Sequence, residues 1–384
     1  MLAVMLREVR MLVTSPTLAG LVVVLPLLML LILGAVFRAG IPVGLPIAVV
    51  DHDRSDLSRS LVRMLDAAPE TRVAHHALSL SEAQKLIVSG DVRGAVYLPQ
   101  GLEREILRGE RPEIVTFYDN QHMSTGSLVA RGARNAIDTA LAGLRLSVRQ
   151  GQGEAPVQAA VSVNPIPLQA HALFNPAFDY VHFLLAALVP TVLQIIAAAA
   201  TAYALSLDFG TQCDRQALGR MAGGMVPALL GKILPYTFVF LLILGLSDIA
   251  LYGWLGVPLR GSLLLMGAGA AAFILAVQLI GALAFVLTRD MGRAASIIAV
   301  ITAPAFGFMG VGFPREAMSP LAQVWGAMIP GTWYVELRID QSLRATPFEI
   351  SITSVLWLLV IAGVLMLLVF AQVLRIGRTE RAAK

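Results

Sequence analysis

The chain has 384 residues, of which 57% are hydrophobic and only 14% are charged, and its net charge is +4. Soluble domains carry about a quarter charged residues, so this composition excludes an ordinary soluble protein and indicates an integral membrane protein. The single cysteine, Cys213, excludes an intrachain disulfide and a cysteine-rich metal or iron–sulfur site on one chain.

Six apolar stretches are long enough to cross a bilayer, which needs about 20 such residues per helix. They are residues 18–37, 180–207, 233–251, 261–287, 294–313 and 350–374. The first stretch is longer than the apolar core of a signal peptide, so we expect an uncleaved anchor. A seventh stretch, 321–339, is interrupted by Pro330 and Gly331. We expect it to be re-entrant or interfacial, with a full span as the alternative.

The basic residues outside these stretches predict the orientation of the chain, because lysine and arginine are enriched on the cytoplasmic side of membrane proteins. With six spans, four basic groups fall on one side. They comprise Arg7, Arg10, Arg215, Arg220, Lys232, Arg289, Arg293, Arg375, Arg378, Arg381 and Lys384. We therefore predict a polytopic α-helical membrane protein of the cell inner membrane, with six transmembrane helices and with both the N- and C-termini cytoplasmic.

About 140 residues separate the first two spans, which is far longer than an ordinary connection and indicates a domain. It begins with "LPIAVVDHDRSDLSRSLVRMLDAAP", which is typical of a strand, a turn and an amphipathic helix. Further apolar runs ("VRGAVYLP", "EIVTFYDN") and helical patterns ("SLSEAQKLIVSGD", "GSLVARGARNAIDTALAGLRLSV") extend the order to β-α-(β)-α-β-α-β-α. We expect an inserted α/β extracytoplasmic domain, followed by an extended or poorly ordered link at 150–170.

Two stretches of this domain raise the question of a metal site. Asp51, His52 and Asp53 are adjacent, and so are His75 and His76. Neighbouring side chains on a strand point to opposite faces. Turn and capping roles for the aspartates, and surface positions for the histidines, are therefore favoured over metal ligation. We predict no metal site on the chain.

The sequence carries no recognised catalytic motif. A Walker A loop would need a glycine five positions before Gly231 and a Ser or Thr after Lys232, but those positions hold Val226 and Ile233. HExxH and GxSxG are also absent. The spans hold almost no ionisable residue; we expect Asp248, near the outer end of the third, to be interfacial, with a functional role as the alternative. The chain is therefore predicted not to be an enzyme, and another chain must drive any pump.

Several short motifs occur together along the chain. They are "LREVRMLVTSPTL" (6–18), "FNP" (174–176), "GKILPY" (231–236), "GVPLRGSLLL" (256–265), "FPREAM" (313–318) and "IPGTWYVELRIDQ" (329–341). In this order and in these topological places they resemble the membrane subunit of ABC-2-type exporters, in the branch with a large extracytoplasmic domain between the first two transmembrane helices. The acidic residues that the family often has after the second span are reduced here to Asp208 and Asp214.

The resemblance implies a cytosolic coupling loop at 207–224 that docks on a separate ABC ATPase subunit. The matching positions are Asp208, Gly210, Thr211, Asp214 and Arg215. ATP and magnesium would bind to the partner ATPase, and no cofactor is expected on this chain. An ordinary solvated loop is the alternative.

The resemblance also implies a division of the chain. Residues 1–37 would form an interfacial helix and the first transmembrane helix, 38–178 the extracytoplasmic domain and link, and 179–384 the remaining spans. The segment 314–340 would enter the membrane from the outer face and act as an outer gate, with a simple membrane anchor as the alternative. The gate candidates are Phe313, Pro314, Met318 and Pro330.

The implied function is that of a permease subunit of an ATP-driven efflux system, active as a homodimer or as a heterodimer with a similar permease. Few charges in the spans favour an apolar or amphipathic substrate, drug-like or lipid-like, over an ion. A periplasmic adaptor protein and an outer-membrane channel would be further partners, and no nucleic acid is expected. The alternative is a non-transport scaffold or receptor that acts through the extracytoplasmic domain and has no ATPase partner.

Overall fold

The structure is a computed structural model that describes residues 1–110, 112–151, 153, 155, 157–158, 173–210 and 212–382. For residues 123, 212–213 and 378–382 it describes the backbone alone. The chain divides into two compact units, one made of Met1–Gly40 with Ala172–Lys384 and the other of Ile41–His171. Most of the predicted link at 150–170 lies outside the described residues.

The described residues of the first unit form six helices that are long and apolar enough to cross a membrane. Spans 1 to 6 are Pro16–Phe37, Val181–Phe209, Met225–Trp254, Leu263–Thr288, Met291–Phe308 and Phe348–Gly377. They confirm the six predicted spans, although span 3 begins at Met225 rather than at 233. An amphipathic helix, Leu2–Thr14, precedes span 1, and the helix of span 6 continues to Ala382.

The seventh apolar stretch forms two short helices. Pro320–Met328 and Pro330–Ile339 are separated at Ile329, whose backbone is extended. The residue before a proline is biased away from the helical region, whereas proline itself suits the first helical position because its missing N–H is not needed there. A π-helical turn, Asp340–Arg344, follows the second helix.

Prolines interrupt the regular helical path of the spans. In span 1 a π-helical turn, Gly20–Val24, lies directly before Leu25 and Pro26. Proline donates no backbone N–H and crowds the preceding turn, so a wider turn accommodates the missing bond. Pro190 lies inside span 2, and span 5 is interrupted at Pro304. The two pieces of span 5 are Met291–Thr302 and Ala305–Phe308.

Glycines on span 4 allow its neighbours to approach closely. A side chain at Gly281 would overlap the carbonyl oxygen of Ala198 in span 2. A side chain at Gly269 would overlap the side chain of Leu337. These contacts lie in two runs of small residues, "AAAATA" (197–202) in span 2 and "GAGAAA" (267–272) in span 4, and just beyond the second run. Small residues are common where membrane helices pack tightly.

The second unit is built on a four-stranded sheet. The strands are β1 (Leu45–Asp51), β2 (Thr71–His76), β3 (Gly94–Leu98) and β4 (Val115–Tyr118). Their order is β2-β1-β3-β4; β1 is parallel to both its neighbours, and β4 pairs antiparallel with β3. The helices are Asp56–Ala67, Leu80–Ser89, Leu102–Leu107 and Met123–Gly151. This alternation follows the predicted order, including β2.

Helices cover both faces of the sheet because successive side chains of β1 point in opposite directions. On one face Val49 packs with Leu61 and Val129, which belong to two different helices. On the other face Val50 packs with Ala83 of the helix Leu80–Ser89. The unit therefore has its own three-layered hydrophobic core.

The aspartates after β1 have turn and capping roles, as predicted. Asp51 accepts hydrogen bonds from the backbone N–H groups of Asp53 and Arg54 at 3.0 and 2.9 Å. Asp53 accepts hydrogen bonds from the N–H groups of Gly101 and Glu103 at 2.8 and 3.1 Å. These bonds satisfy donors at the start of the helix Leu102–Leu107. Both carboxylates are thus occupied by the chain itself.

Candidate coupling site

Three elements of the membrane unit meet at one end of the bundle: the helix Leu2–Thr14, the end of span 2 and the first turns of span 3. Each contributes charged or polar side chains to one contact. We call this group the Lys232 cluster; it consists of Arg7, Glu8, Asp208, Lys232 and Tyr236.

Lys232 is the centre of the cluster. Its ammonium group donates to Glu8 Oε1 at 3.1 Å and also to Asp208 Oδ2. Arg7 Nη2 donates to Asp208 Oδ1 at 2.5 Å, and the hydroxyl of Tyr236 donates to Glu8 Oε2 at 2.9 Å. Two carboxylates therefore balance two cations, and each charged group contacts an opposite charge.

The cluster is buried within the chain. The side chains of Lys232 and Glu8 are 1% and 0% exposed, and only Arg7 reaches the surface, at 33%. Removing an ionised group from water costs free energy, so buried charges are found mainly where they are paired. Ionisable residues inside membrane proteins often mark functional sites. The hydrogen bond to Asp208 raises the pKa of Arg7 above its ordinary value, so this cation remains charged.

Lys232 reaches the cluster because span 3 begins before it. Gly223 and Gly224 have φ angles of +79° and +150°, conformations that suit glycine, and they separate the preceding helix from span 3. The helix starts at Met225, so Lys232 lies about two turns inside it. The helix of span 3 therefore begins eight residues before the predicted start at 233, and two carboxylates neutralise this lysine within it.

Gly231 allows the helix Leu2–Thr14 to lie directly on span 3. A Cβ atom at this position would lie 3.0 Å from Cβ of Val4 and 3.1 Å from the carbonyl oxygen of Met1. Val4 is fully buried, and Glu8 follows it by one helical turn on the same face. A larger residue at 231 would therefore displace the helix that carries Glu8.

The helix Gln212–Ala222 follows span 2 and has a buried and an exposed face. Arg215 Nη1 donates to the carbonyl oxygen of Phe209 at 2.6 Å, which satisfies an acceptor at the end of span 2. Leu218 lies on the same buried face. The exposed face carries Asp214, Ala217, Arg220 and Met221.

The structure separates the predicted coupling residues into two groups. Asp208 and Arg215 are each 5% exposed and bind partners within the chain. Gly210 and Asp214 are exposed, and Thr211 lies outside the described residues. The two buried side chains hold the loop to spans 2 and 3, and the exposed ones are accessible at the surface of the chain. The docking role of these residues stays a prediction.

A second buried ion pair lies toward the other end of span 3. Arg338, in the helix Pro330–Ile339, is 1% exposed, and its Nη1 lies 2.6 Å from Asp248 Oδ1. The rings of Tyr252 and Tyr334 are centred 5.8 and 5.6 Å from the guanidinium carbon, within the range of cation–π attraction. Asp248 is therefore the partner of a buried cation rather than a lone interfacial carboxylate.

The predicted gate candidates fall at two places. Phe313 and Pro314 are exposed and precede the turn Arg315–Ala317, and the half-buried Met318 follows it. Pro330 is buried at the start of its helix. The gating role of these residues stays a prediction.

The sequence analysis missed the contributions of Glu8, Tyr236 and Arg338. One signal for Glu8 was present, because it is the sole acidic residue of its helix and lies four residues after Val4 on the apolar face. Arg338 gave no comparable signal, since its partner Asp248 is far away along the chain.

The described residues form six long apolar helices with buried ionic contacts between elements, which is the architecture of a polytopic membrane protein. It belongs to the ABC-2 family: the family model described as "ABC-2 family transporter protein" matches residues 18–371. The chain is similar to "Inner membrane transport permease YhhJ" of Escherichia coli (strain K12), with 25% identity over 325 residues that cover 83% of this chain and 82% of the relative. It is also similar to "Probable multidrug ABC transporter permease YbhS" of the same organism, with 24% identity over 367 residues that cover 93% and 92%. No solved structure matches the chain.

The family and these relatives confirm the resemblance to ABC-2 transporter permeases that was drawn from the sequence motifs. The chain is an ABC transporter permease, that is, a multi-pass membrane subunit. Membership of the family implies a partnership with an ABC ATPase subunit.

Proposed function

We propose that this permease is the membrane subunit of an ATP-driven exporter, which moves an apolar or amphipathic substrate, drug-like or lipid-like, outward across the inner membrane. A separate ATPase subunit binds ATP and magnesium and supplies the energy. The relative YbhS is named a probable multidrug permease, which supports a substrate of this kind. Asp208, Lys232 and Asp248 are engaged in ion pairs within the chain, which favours such a substrate over an ion.

The Lys232 cluster is the observation that carries the proposal. It joins the helix Leu2–Thr14 to spans 2 and 3, beside the helix Gln212–Ala222. Arg215 ties that helix to the end of span 2 through the carbonyl group of Phe209. A push on the exposed face of Gln212–Ala222, as two ATPase subunits close on ATP, would therefore move spans 2 and 3 together.

Span 3 extends the connection to the other end of the bundle. Asp248 lies about 24 Å from Lys232 along the helix axis, at 1.5 Å per residue. Its ion pair with Arg338 links span 3 to the segment 314–340, which we propose to be the outer gate. Displacement of span 3 at the coupling end would therefore reach the gate through one continuous helix.

The proposed assembly follows from orientation and family. We infer that both termini are cytoplasmic, because the basic loops favour that side. The α/β unit between spans 1 and 2 is then extracytoplasmic. Two permeases, identical or similar, pair with two ATPase subunits, and the α/β unit is available to a periplasmic adaptor that leads to an outer-membrane channel.

The test is co-purification of the tagged full-length permease with its ATPase from native membranes. Arg220→Glu and Met221→Glu alter the exposed face of Gln212–Ala222 and leave the buried Asp208 and Arg215 intact. Arg293→Glu is the matched control, because it alters an exposed charge on the same predicted side of the membrane. We expect the ATPase to be lost from the first two variants and retained in the control.

Absence of an ATPase from the unaltered sample, even after mild crosslinking, would overturn the exporter proposal. It would favour a scaffold or receptor that acts through the α/β unit. Retention of the ATPase by both face variants would move the docking surface away from the helix Gln212–Ala222.

A further inference from the structure

A cavity of about 600 Å³ is lined by the turn Arg315–Ala317 and the helix Pro330–Ile339, among other residues. Its volume lies within the range of about 300–1,000 Å³ that is typical of small-molecule sites. The charged residues in its lining are Arg315, Glu316, Glu336 and Arg344. Trp333 supplies an aromatic wall, and we call the cavity the Trp333 pocket.

Arg315 is the most constrained cation of the pocket. Its guanidinium carbon lies 5.2 Å from the ring centre of Trp333, and its Nη1 lies 4.0 Å from Glu336. Its Nε is buried and has no hydrogen-bond partner within the described residues. An unpaired buried donor is unfavourable, so a ligand oxygen bound here would stabilise it. Arg344 adds a second positive charge to the lining.

The acidic side of the pocket is only weakly paired. Glu316 is exposed and has no ion pair or hydrogen bond through its side chain in the described part of the chain. Glu336 has the 4.0 Å contact with Arg315, a distance at the limit of an ion pair. A ligand ammonium group placed here would meet two carboxylates, which are suitable partners for a cation.

Met309 and Ile339 add apolar surface to the same lining. Within the chain, Arg344 Nη1 lies 3.3 Å from Asp340 Oδ1. A ligand with one sign of charge would engage only the arginines or only the glutamates of the lining. A head group that carries both charges, attached to an apolar body, matches all of these features.

We propose that the Trp333 pocket binds the dipolar head of a zwitterionic amphiphile. Its phosphate or carboxylate lies against Arg315 and Arg344, and its ammonium group lies against Glu316 and Glu336. The ligand is either a membrane phospholipid of this chemistry or the molecule that the exporter releases. The second source rests on the proposed function, whereas binding itself needs neither ATP nor an ATPase.

The test uses the purified full-length permease in a nonionic detergent and three photoactivatable single-chain probes of equal length. They are a lysophosphatidylethanolamine, a lysophosphatidic acid and an alkylammonium, and crosslinked peptides are mapped as a function of probe concentration. We expect the zwitterionic probe to label the Trp333 pocket with at least about fivefold higher apparent affinity than either singly charged probe. The double variant Glu316→Gln/Glu336→Gln should weaken its binding about tenfold.

Glu349→Gln is the matched control, because this exposed carboxylate at the start of span 6 lies outside the pocket. Arg344→Gln tests the anionic contact without disturbing the stacked Arg315, since its side chain is 53% exposed. Equal labelling by all three probes would overturn the proposal. Unchanged affinity in both the double glutamate variant and Arg344→Gln would also overturn it.

The source of the ligand is decided in inside-out vesicles that contain the permease and its ATPase. ATP-driven movement of the zwitterionic probe that is lost in Glu316→Gln/Glu336→Gln supports a site for the exported molecule. Movement that is the same in this variant, although binding is weaker, supports a resident lipid. Failure of all ATP-driven movement with intact binding counts against the exporter and leaves the pocket assignment standing.

Discussion

Removal of the charge on Lys232 tests the energetic role of the Lys232 cluster most directly. Lys232→Met keeps an apolar stem but leaves Glu8 and Asp208 without their shared cation. Asp208 retains Arg7 and Glu8 retains Tyr236, so one excess negative charge remains buried. Removal of one partner of a buried ion pair costs about 3–5 kcal/mol. We expect the lower end, about 3 kcal/mol, because Arg7 also lies 3.7 Å from Glu8.

The assay is thermal unfolding of the purified full-length protein in detergent. At roughly 1–2 °C per kcal/mol for a chain of 384 residues, the unfolding midpoint of Lys232→Met should fall by roughly 3–6 °C. Adding Asp208→Asn restores a neutral cluster, so the double variant should recover at least half of the loss. Glu349→Gln, an exposed change, should leave the midpoint in place. The reasoning is refuted if Lys232→Met unfolds at the unaltered midpoint, or if the double variant is no more stable than the single one.

Two further predictions concern packing and orientation. Gly281→Ala should prevent recovery of monodisperse protein by size-exclusion chromatography, because the added Cβ would overlap the Ala198 carbonyl oxygen. Gly267→Ala, in the same helix, should be tolerated, because a Cβ at that position has no neighbouring atom within 4 Å. A similar yield from both variants would contradict the close packing of spans 2 and 4. Cys213, the sole cysteine, should react with a membrane-impermeant maleimide in inside-out vesicles and not in right-side-out ones. Ser81→Cys in a Cys213→Ser background should show the opposite pattern, and labelling of both from one side would refute the proposed topology.

The spans and the α/β alternation were predictable because both depend on local patterns of residues in the sequence. Each span is a run of apolar residues about as long as a bilayer is thick, and each strand or helix of the α/β unit has its own periodicity. The turn role of Asp51 was predictable for the same reason, since its partners Asp53 and Arg54 are close neighbours in the chain. Local sequence patterns therefore predicted most of the helices and strands of the fold.

The candidate site was less predictable because its contacts are distant in the chain. Lys232 was predicted to lie outside the apolar stretches, since a lysine is unfavourable in hydrocarbon. Its two acceptors, Glu8 and Asp208, are 224 and 24 residues away. A single sequence does not reveal which acid a lysine meets, so the contact of Lys232 with Glu8 and Asp208 was not predicted.

The two buried ionic contacts suggest why span 3 can act as a transmitting element. Apolar side chains allow a helix to slide or rotate with small changes in contact energy, because dispersion is not directional. Charge-assisted hydrogen bonds are directional, and breaking a buried one leaves an uncompensated charge. Span 3 carries such a contact near each end, through Lys232 and through Asp248. A displacement at one end is therefore better preserved as movement of the whole helix than it would be through apolar packing alone.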